Sequence, residues 1–234
     1  MKSLGALLVF FLSNSLIAQD PFFLKADDFF RLNVDQTGMV DYQRIRSNPA
    51  SLNELVAQIS SFELTPVPEI NKAFLINAYN LLVIKEVVDN YPLKSPLDNK
   101  NFFRGIYHNV SGRMVTLDQI EFEMLFKNFP DSRIHLVLVC AAKSCPPLKN
   151  RAYFPENIDI QIQDRAKYVM NLDGFIKVKA EEKELIVSPL FDWYQRDFVK
   201  DGRGLMDFIN AYLKQPVFPN KVSYYEYNWT LNSL

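Results

Sequence analysis

The chain contains few of the residues that most metal and redox sites require: two cysteines, two histidines and seven glycines among 234 residues. A structural zinc site takes four ligands, commonly with cysteine pairs two to four residues apart, so this composition argues against one. The scarcity of glycine excludes a glycine-linker or glycine-repeat protein. The formal net charge is -1 and no basic block stands out, so nucleic acid is not an expected partner.

Apolar and aromatic residues are plentiful. They include 19 Phe and 11 Tyr, and the hydrophobic fraction is 48%. This supply can build a substantial core for one large domain. No internal repeat, charge block or long linker divides the chain. We therefore expect a single α+β domain over residues 70–234, in which helices pack on a small, mainly antiparallel sheet, preceded by an N-terminal helical segment over residues 19–69.

The N-terminus has the layout of a secretory signal peptide. A single lysine is followed by an apolar run over residues 4–12 and a stretch of small and polar residues that ends at Ala18. We predict cleavage between Ala18 and Gln19. A membrane anchor is the alternative, but the run is about half the ~20 residues that span a bilayer. The mature protein is expected to be exported, periplasmic or secreted, without a membrane span.

A helix is predicted in "EINKAFLINAYNLLVIKEVVDNYP", and its apolar residues surround it almost completely. This pattern indicates a buried central helix. Asn77 and Asn80 lie three residues apart on one face of it. A buried amide without partners costs roughly 1–3 kcal/mol, so both need hydrogen bonds. They either clamp a neighbouring loop or provide a polar lining to a cleft.

Two hairpins are predicted in the second half of the chain. The first turns at Ser111-Gly112, and the second lies in "FIKVKAEEKELIVSPL" with charged residues at its tip. After the first hairpin, Thr116 is placed to cap a helix that carries Glu121. Glu121 is either a solvated charge on that helix or a carboxylate that points inward.

The stretch "RIHLVLVCAAKSCPPL", residues 133–148, holds His135 and both cysteines. Its first half is rich in β-branched residues and apolar on both faces, which predicts a central strand covered on both sides. Side chains alternate along a strand, so His135 and Cys140 would point to opposite faces. Cys145 lies beyond the strand, in a turn stiffened by two prolines, and can fold back over either face.

The chemistry of these three residues has several possible readings. Cys140 and Cys145 enclose only four residues, so a disulfide would gain little loop-closure entropy, and a stabilising disulfide is a weak explanation for them. His135 could be a core histidine with a satisfied hydrogen bond. Alternatively, a thiol on a stiff loop near a histidine is a plausible nucleophile–base pair, because a neighbouring imidazolium stabilises the thiolate. Redox sensing through the two cysteines is a third possibility.

Several runs of the chain resemble, in order, the family catalogued as domain of unknown function 547. They are "FLINAYNLLVI", "GRMVTLDQIE", "RIHLVLVCAAKSCPPL", "RAYFPENIDIQIQDRA", "SPLFDWYQRDF" and "YNWTLN". The resemblance covers about residues 70–232, and its Cys-Pro-Pro-Leu block is the most specific part. It implies a circularly permuted relative of the papain-like cysteine peptidases, with the catalytic order Glu–His–Cys.

The family's Leu-Asp-Asp-Ile-Glu-His pattern falls on residues 117–122. Glu121 matches it, but the position of the family's histidine is Phe122 here, which removes a catalytic role for that position. His135 is then the motif histidine that remains. Cys140 and Cys145 both match the family's cysteine positions, and the alternation argument favours Cys145 as the nucleophile.

These observations lead us to expect an exported, papain-like thiol hydrolase or acyl-transfer enzyme. Cys145 would be the nucleophile, His135 the general base, and Glu121 the group that orients the imidazole. Asn77, Asn80 and Cys140 are candidates for lining the site, the two asparagines also as oxyanion donors. The expected substrate is a peptide, an isopeptide or another acyl compound, with no cofactor and no metal. The alternative is an exported, non-catalytic binding or scaffold module that retains the fold.

Overall fold

Helices form the N-terminal part of the computed structural model, which describes residues 21–200 and 202–234. The first four are α1 (Pro21–Asn33), α2 (Tyr42–Ser47), α3 (Ala50–Ser61) and α4 (Pro68–Asp89). The helices α1–α3 fall in the segment predicted to be helical, and they share one apolar core with α4. The predicted signal peptide lies outside the described residues.

The long helix α4 is the buried central helix that its composition predicts. Pro68 occupies its first turn, where a missing N–H is tolerated. From Ala73 onward, nearly every residue of the helix is buried. Helices α2 and α3 pack against it, and so does the segment that carries Glu121. Polar groups that face away from solvent on α4 must therefore bond to neighbouring segments.

The first predicted hairpin is confirmed as the antiparallel strands β1 (His108–Val110) and β2 (Arg113–Val115). Ser111 and Gly112 both have positive φ, at 52° and 75°, as a tight two-residue hairpin turn requires. Thr116 then accepts from the backbone N–H of Gln119 and begins the short helix α5 (Leu117–Gln119). A π-helical turn over Ile120–Phe126 continues it.

The C-terminal part of the chain builds a second, three-stranded sheet. Helix α6 (Ile158–Met170) precedes the predicted hairpin of β3 (Ile176–Lys179) and β4 (Glu184–Val187), which is antiparallel. The strand β5 (Lys221–Tyr224) joins β4 in parallel. Between them lie α7 (Leu190–Trp193), α8 (Gln195–Phe198) and α9 (Leu205–Asn210). The protein is thus a single α+β domain with small, mainly antiparallel sheets.

The strand predicted over residues 133–140 is not formed, and that prediction was wrong. Ser132–Leu136 is a 3-10 helix, which begins where the Asp131 side chain accepts from the Arg133 backbone N–H. Irregular backbone follows it, and the Asn80 amide takes the place of a neighbouring strand as its hydrogen-bond partner. An apolar run that is buried on all sides has no periodicity to distinguish these conformations.

This irregular segment runs between two apolar cores. Val137, Leu138 and Val139 pack into the first core, which contains α1–α4, and Leu136 packs into the second, which contains α6, β3, β4 and α7–α9. All four are buried, as the apolar pattern predicts.

Within residues 21–200 and 202–234, no helix is both long enough and apolar enough to cross a membrane.

Candidate active site

A cleft of about 430 Å³ is bordered by both apolar cores, and we call it the central cleft. Leu138 lines it from the first core and Leu190 from the second. Glu121, His135 and Cys145, the three residues predicted to be catalytic, all line this cleft. Folding therefore brings Glu121, from the π-helical turn, into the same cleft as His135 and Cys145, which belong to one stretch of the sequence.

Glu121 points inward from the π-helical turn, a type of helical irregularity that often occurs at functional sites. The Tyr79 hydroxyl donates to its Oε2 atom at 3.4 Å, and the Tyr194 hydroxyl is a second hydrogen-bond partner. Burial, followed by the negative charge of Asp118, raises the pKa of Glu121 to about 7. This carboxyl group therefore exchanges a proton near neutral pH.

His135 lies between two aromatic rings. The Phe126 ring stacks on one face of the imidazole, with centroids 4.1 Å apart, and the Tyr194 ring stacks on the other, with centroids 4.0 Å apart. Its edges face carboxylates. Nε2 lies 2.9 Å from Asp197 Oδ2, and Nδ1 lies 3.7 Å from Glu121 Oε1. The first distance is that of a hydrogen bond and the second is not.

These contacts determine the tautomer of His135. The hydrogen bond from His135 lowers the pKa of Asp197, so this carboxylate is an acceptor and Nε2 must carry the donated proton. Burial lowers the pKa of His135 itself, although Asp197 acts in the opposite direction. The neutral imidazole consequently presents its Nδ1 lone pair toward Glu121, and Asp197 is the residue that holds the ring orientation.

The two cysteines form a disulfide. The sequence argued only against a stabilising disulfide, and that the bond contributes little to stability stays a prediction. The Cys140 backbone N–H donates to Cys145 Sγ at 2.8 Å, and Tyr227 Oη lies 3.2 Å from Cys140 Sγ. Both cysteines line the central cleft. In the part of the chain that the structure describes, no hydrogen bond joins Cys145 to His135, so the predicted pair shares a cleft without being hydrogen-bonded.

Asn77 and Asn80 clamp neighbouring segments, as the structural alternative predicted. Asn77 accepts from the Tyr153 backbone N–H and donates to the Tyr153 carbonyl oxygen, at 3.0 and 2.7 Å. Asn80 accepts from Val139 N–H and donates to the Val137 carbonyl, both at 3.0 Å. Their amides thereby replace the strand pairing that these backbone segments lack. Neither asparagine is among the residues that line the central cleft.

Asp197 and the aromatic residues of the central cleft were not identified from the sequence. Trp193, Tyr227 and Trp229 form a cluster on one wall of the cleft, with ring centroids 4.7 to 5.9 Å apart. The signal was present, because these residues lie in the runs "SPLFDWYQRDF" and "YNWTLN" that carry part of the family resemblance. The sequence alone did not indicate that those runs lie close to His135 in the folded chain.

The carboxylates around His135 do not form a metal site. Glu121 and Asp197 approach opposite edges of the imidazole, so they cannot converge on one ion. Throughout residues 21–200 and 202–234, no group of three or more His, Cys, Asp and Glu side chains could hold a metal ion.

Residues 66–169 match the family model described as "Protein of unknown function, DUF547". The match includes α4, the first hairpin, the Glu121 segment and both cysteines. It confirms the family resemblance over this segment, whereas Asp197 and the aromatic wall lie beyond it. The comparison with curated proteins and the comparison with solved structures each found no match.

Proposed function

We propose that this chain, whose residues 66–169 form a DUF547 domain, is a thiol hydrolase or acyl-transfer enzyme that acts in its reduced state. One observation carries the proposal. Glu121, which was selected from one run of the sequence, and His135 and Cys145, which were selected from another, line the same cleft. A nucleophile, a base and a proton-exchanging carboxyl group in one concave site are the elements of covalent acyl chemistry.

The nucleophile in this proposal is the Cys145 thiolate, which exists only after the disulfide has been reduced. It would attack the carbonyl carbon of an acyl substrate and form a thioester, while the leaving group takes a proton. Water or an acceptor nucleophile would then release the acyl group and restore the thiol. The Cys140 backbone N–H, which already donates to Cys145 Sγ, favours the thiolate form.

His135 is the proposed base, and it would act through Nδ1 because Asp197 occupies Nε2. Glu121 Oε1 lies 3.7 Å from Nδ1, so proton transfer between substrate and imidazole would involve that carboxyl group. Asp197 takes the orienting role that the sequence assigned to Glu121. Reduction releases Cys145 Sγ from Cys140, so Cys145 would approach His135 in the reduced form, and this contact would tighten further in the substrate complex.

The central cleft favours acyl substrates with a flat or apolar group beside the reactive carbonyl. Trp193 and Trp229 stack with an interplanar angle of 18° and provide an apolar wall, and Trp193 is half exposed. Indole faces of this kind bury aromatic and aliphatic side chains with little loss of conformational entropy. Peptides and isopeptides that carry such side chains are the proposed substrates.

A non-catalytic binding module is the second candidate. Two observations favour it: the sulfur of Cys145 is bonded to Cys140, and carboxylates face both nitrogens of His135. In that case the polar groups would stabilise the cleft floor, and the aromatic wall would bind a ligand without turnover.

Acylation of the reduced protein distinguishes the two functions. The full chain, with and without dithiothreitol, is incubated with a panel of p-nitrophenyl esters and aromatic peptide thioesters, and intact-mass spectrometry detects the acyl adduct. We expect an adduct on Cys145 only after reduction. Cys140→Ser, which leaves Cys145 free, should acylate without reductant, and Cys145→Ser should not acylate. Binding without any adduct in Cys140→Ser would favour the binding module.

Export is proposed separately from the chemistry. It is supported by the apolar run and the Ala18-Gln19 junction of the sequence. N-terminal sequencing of the protein from its native host should begin at Gln19. Protein that retains Met1 in the cytosolic fraction would contradict it.

A further inference from the structure

The loop that carries the disulfide is held in place by backbone hydrogen bonds as well as by the sulfurs. Lys143 N–H donates to the Thr230 carbonyl at 2.8 Å, and Asn232 N–H donates to the Ala141 carbonyl at 2.9 Å. Asn228 N–H donates to Ser144 Oγ at 2.8 Å. We call residues 228–232 the C-terminal strap. The strap is thus hydrogen-bonded to Ala141, Lys143 and Ser144, three of the four residues between the cysteines.

A disulfide in this position is expected to contribute little to the stability of the fold. It closes a loop of four residues, and a disulfide that closes a short loop removes little entropy from the unfolded chain. The C-terminal strap, including the bridge between Ala142 and Leu231, already orders that loop in the folded chain. Burial is also incomplete, because both cysteines line the open central cleft and Cys140 is partly exposed. Structural disulfides are typically protected from reduction, whereas exposed ones are the labile, regulatory or catalytic ones.

We propose that Cys140 and Cys145 form a redox-active pair that undergoes reversible thiol–disulfide exchange with thiols entering the central cleft. The exchange partner is a small thiol or a cysteine on a flexible peptide, of a size that the cleft admits. The exchange itself is independent of the proposed hydrolase activity. Its consequence rests on that proposed function, because only the reduced form has a Cys145 thiolate available for acyl chemistry.

The reaction balances with two thiols as the two-electron donor. The first thiolate attacks Cys140 Sγ, forms a mixed disulfide with it, and expels Cys145 as a thiolate. A second thiolate attacks the external sulfur of the mixed disulfide, releases the oxidised thiol dimer, and leaves Cys140 as a thiolate. The two protons of the donor thiols end on the protein thiols or in solvent. An oxidised disulfide of the same thiol class reverses both steps.

Exposure and hydrogen bonding indicate which sulfur the incoming thiol attacks and which sulfur leaves. Cys140 is the more exposed of the two residues, since Cys145 is only 7% exposed, and we therefore expect an incoming thiol to attack Cys140 first. The departing Cys145 sulfur already accepts from the Cys140 backbone N–H at 2.8 Å, and this donor stabilises the thiolate as it forms. Tyr227 Oη, 3.2 Å from Cys140 Sγ, can donate to that sulfur once it is reduced.

The first test is a redox titration of the full chain in glutathione buffers, followed by acid quenching, alkylation and mass spectrometry. Both tryptophans of the protein line the cleft beside the cysteines, so tryptophan fluorescence reports the same transition. We expect two thiols to appear together in one reversible transition, with an unchanged circular dichroism spectrum and a melting temperature within a few degrees of the oxidised protein. Thiols that appear only in denaturant, or loss of the folded signal on reduction, would overturn the proposal.

The second test maps the direction of exchange. With limiting reduced glutathione, the mixed disulfide of the wild-type protein should be found on Cys140. Oxidised glutathione, which supplies the disulfide that a single-cysteine variant lacks, should place the same mixed disulfide on Cys140 in Cys145→Ser, where it should accumulate because the resolving thiol is absent. Accumulation on Cys145 in the matched variant Cys140→Ser at an equal or higher rate would refute the proposed direction. The double variant Cys140→Ala/Cys145→Ala should fold with a near-normal melting temperature. If it does not fold, the disulfide is structural and the proposal is wrong.

These tests separate the exchange from the acyl chemistry. If the titration is reversible and Cys140→Ser forms no acyl adduct, the redox pair stands and the hydrolase proposal fails. If Cys140→Ser acylates but the wild-type disulfide resists reduction in the folded chain, the hydrolase proposal stands and the redox proposal fails. If both hold, acylation of the wild type should depend on reductant, while that of Cys140→Ser should not.

Discussion

The two histidines of the chain each lie beside a buried glutamate, but their surroundings differ. His108 Nε2 is 3.4 Å from Glu86 Oε1, and His135 Nδ1 is 3.7 Å from Glu121 Oε1. In both pairs burial raises the pKa of the glutamate to about 7 and lowers the pKa of the histidine. Judged by these contacts alone, the two pairs would be equally good candidates for a catalytic site.

What distinguishes them is the rest of the environment. His135 has a second carboxylate, Asp197, at its other nitrogen, an aromatic ring on each face, and a place in the central cleft. His108 has none of these among the described residues. Its Nε2 atom is buried without a hydrogen bond. Burial and a neighbouring carboxyl group therefore do not define a site, whereas an oriented imidazole that lines a cleft does.

Removing each histidine should give the largest difference. In the reduced protein, His135→Ala should slow iodoacetamide alkylation of Cys145 at pH 7 by about 100-fold, because a positioned base contributes about 10²–10⁴-fold. The matched variant His108→Ala should leave that rate unchanged. Peptide mass spectrometry measures both cysteines separately. Equal rates in the two variants would show that His135 is no more functional than His108.

A smaller effect is expected from Asp197→Asn. Loss of the carboxylate removes the group that raises the pKa of His135 against burial, so that pKa should fall further below its ordinary value. Nuclear magnetic resonance can follow both imidazoles, since the chain has two histidines. Alkylation of reduced Cys145 should slow by at least about tenfold, as an orienting residue requires.

Asp192→Asn provides the control for Asp197→Asn. Asp192 is an exposed carboxylate on the neighbouring helix α7, away from His135. This variant should change neither the imidazole resonances nor the alkylation rate. The Asp197→Asn change should also leave the titration of His108 untouched. A shift of both histidines together would indicate a general loss of structure instead of a positioning role.

The Glu86–His108 pair should affect the stability of the fold more than the reactivity of Cys145. Whether stability rises or falls with pH depends on which of the two residues remains. Burial raises the pKa of Glu86 from 4.5 to about 7, so the folded chain keeps a proton that the unfolded chain releases, and stability falls as pH rises between these values. Burial lowers the pKa of His108 from 6.5 to about 4, so stability rises with pH between about 4 and 6.5. The two slopes oppose each other.

Substituting one residue of the pair should therefore reveal the pH dependence of stability that the other residue causes. His108→Ala should lose stability as pH rises from 4.5 to 7, on the order of 1–2 kcal/mol in urea unfolding. Glu86→Gln should instead gain stability with pH between 4 and 6.5. The wild-type protein should show a weaker dependence than either variant over the shared range. Parallel pH profiles in all three proteins would mean that the pair is not protonated as its burial predicts.

The elements that are determined locally could be predicted from the sequence. The sequence predicts the hairpin at Ser111-Gly112 because its two turn residues tolerate positive φ. It predicts a helix start at Thr116 because the threonine hydroxyl can accept a hydrogen bond from the backbone N–H three residues later. The sequence predicts α4 as a buried helix because apolar residues surround almost its whole circumference. Leu138 could be assigned to the core from its apolar neighbours, although its segment is not the predicted strand.

The candidate site was only partly predictable. Glu121, His135 and Cys145 could be selected because carboxylate, imidazole and thiol are chemically distinctive and stand in motifs of the family. Their partners could not be selected, because hydrogen bonds between residues far apart leave no local pattern. Asp197 is 62 residues from the histidine that it orients. The aromatic wall of the cleft likewise comes from two distant segments: α7 carries Trp193, whereas Tyr227 lies just before the C-terminal strap and Trp229 lies at the start of it.

By itself, the sequence determined the secondary elements whose signals are local, and it singled out three candidate side chains that stand in motifs of the family. The tertiary structure decided how those side chains are used. It joined Cys140 to Cys145, directed Asp197 to Nε2 of His135, and used Asn80 in place of a neighbouring strand. The physical reason is that distance, burial and hydrogen-bond geometry depend on packing between segments, which composition and periodicity do not encode.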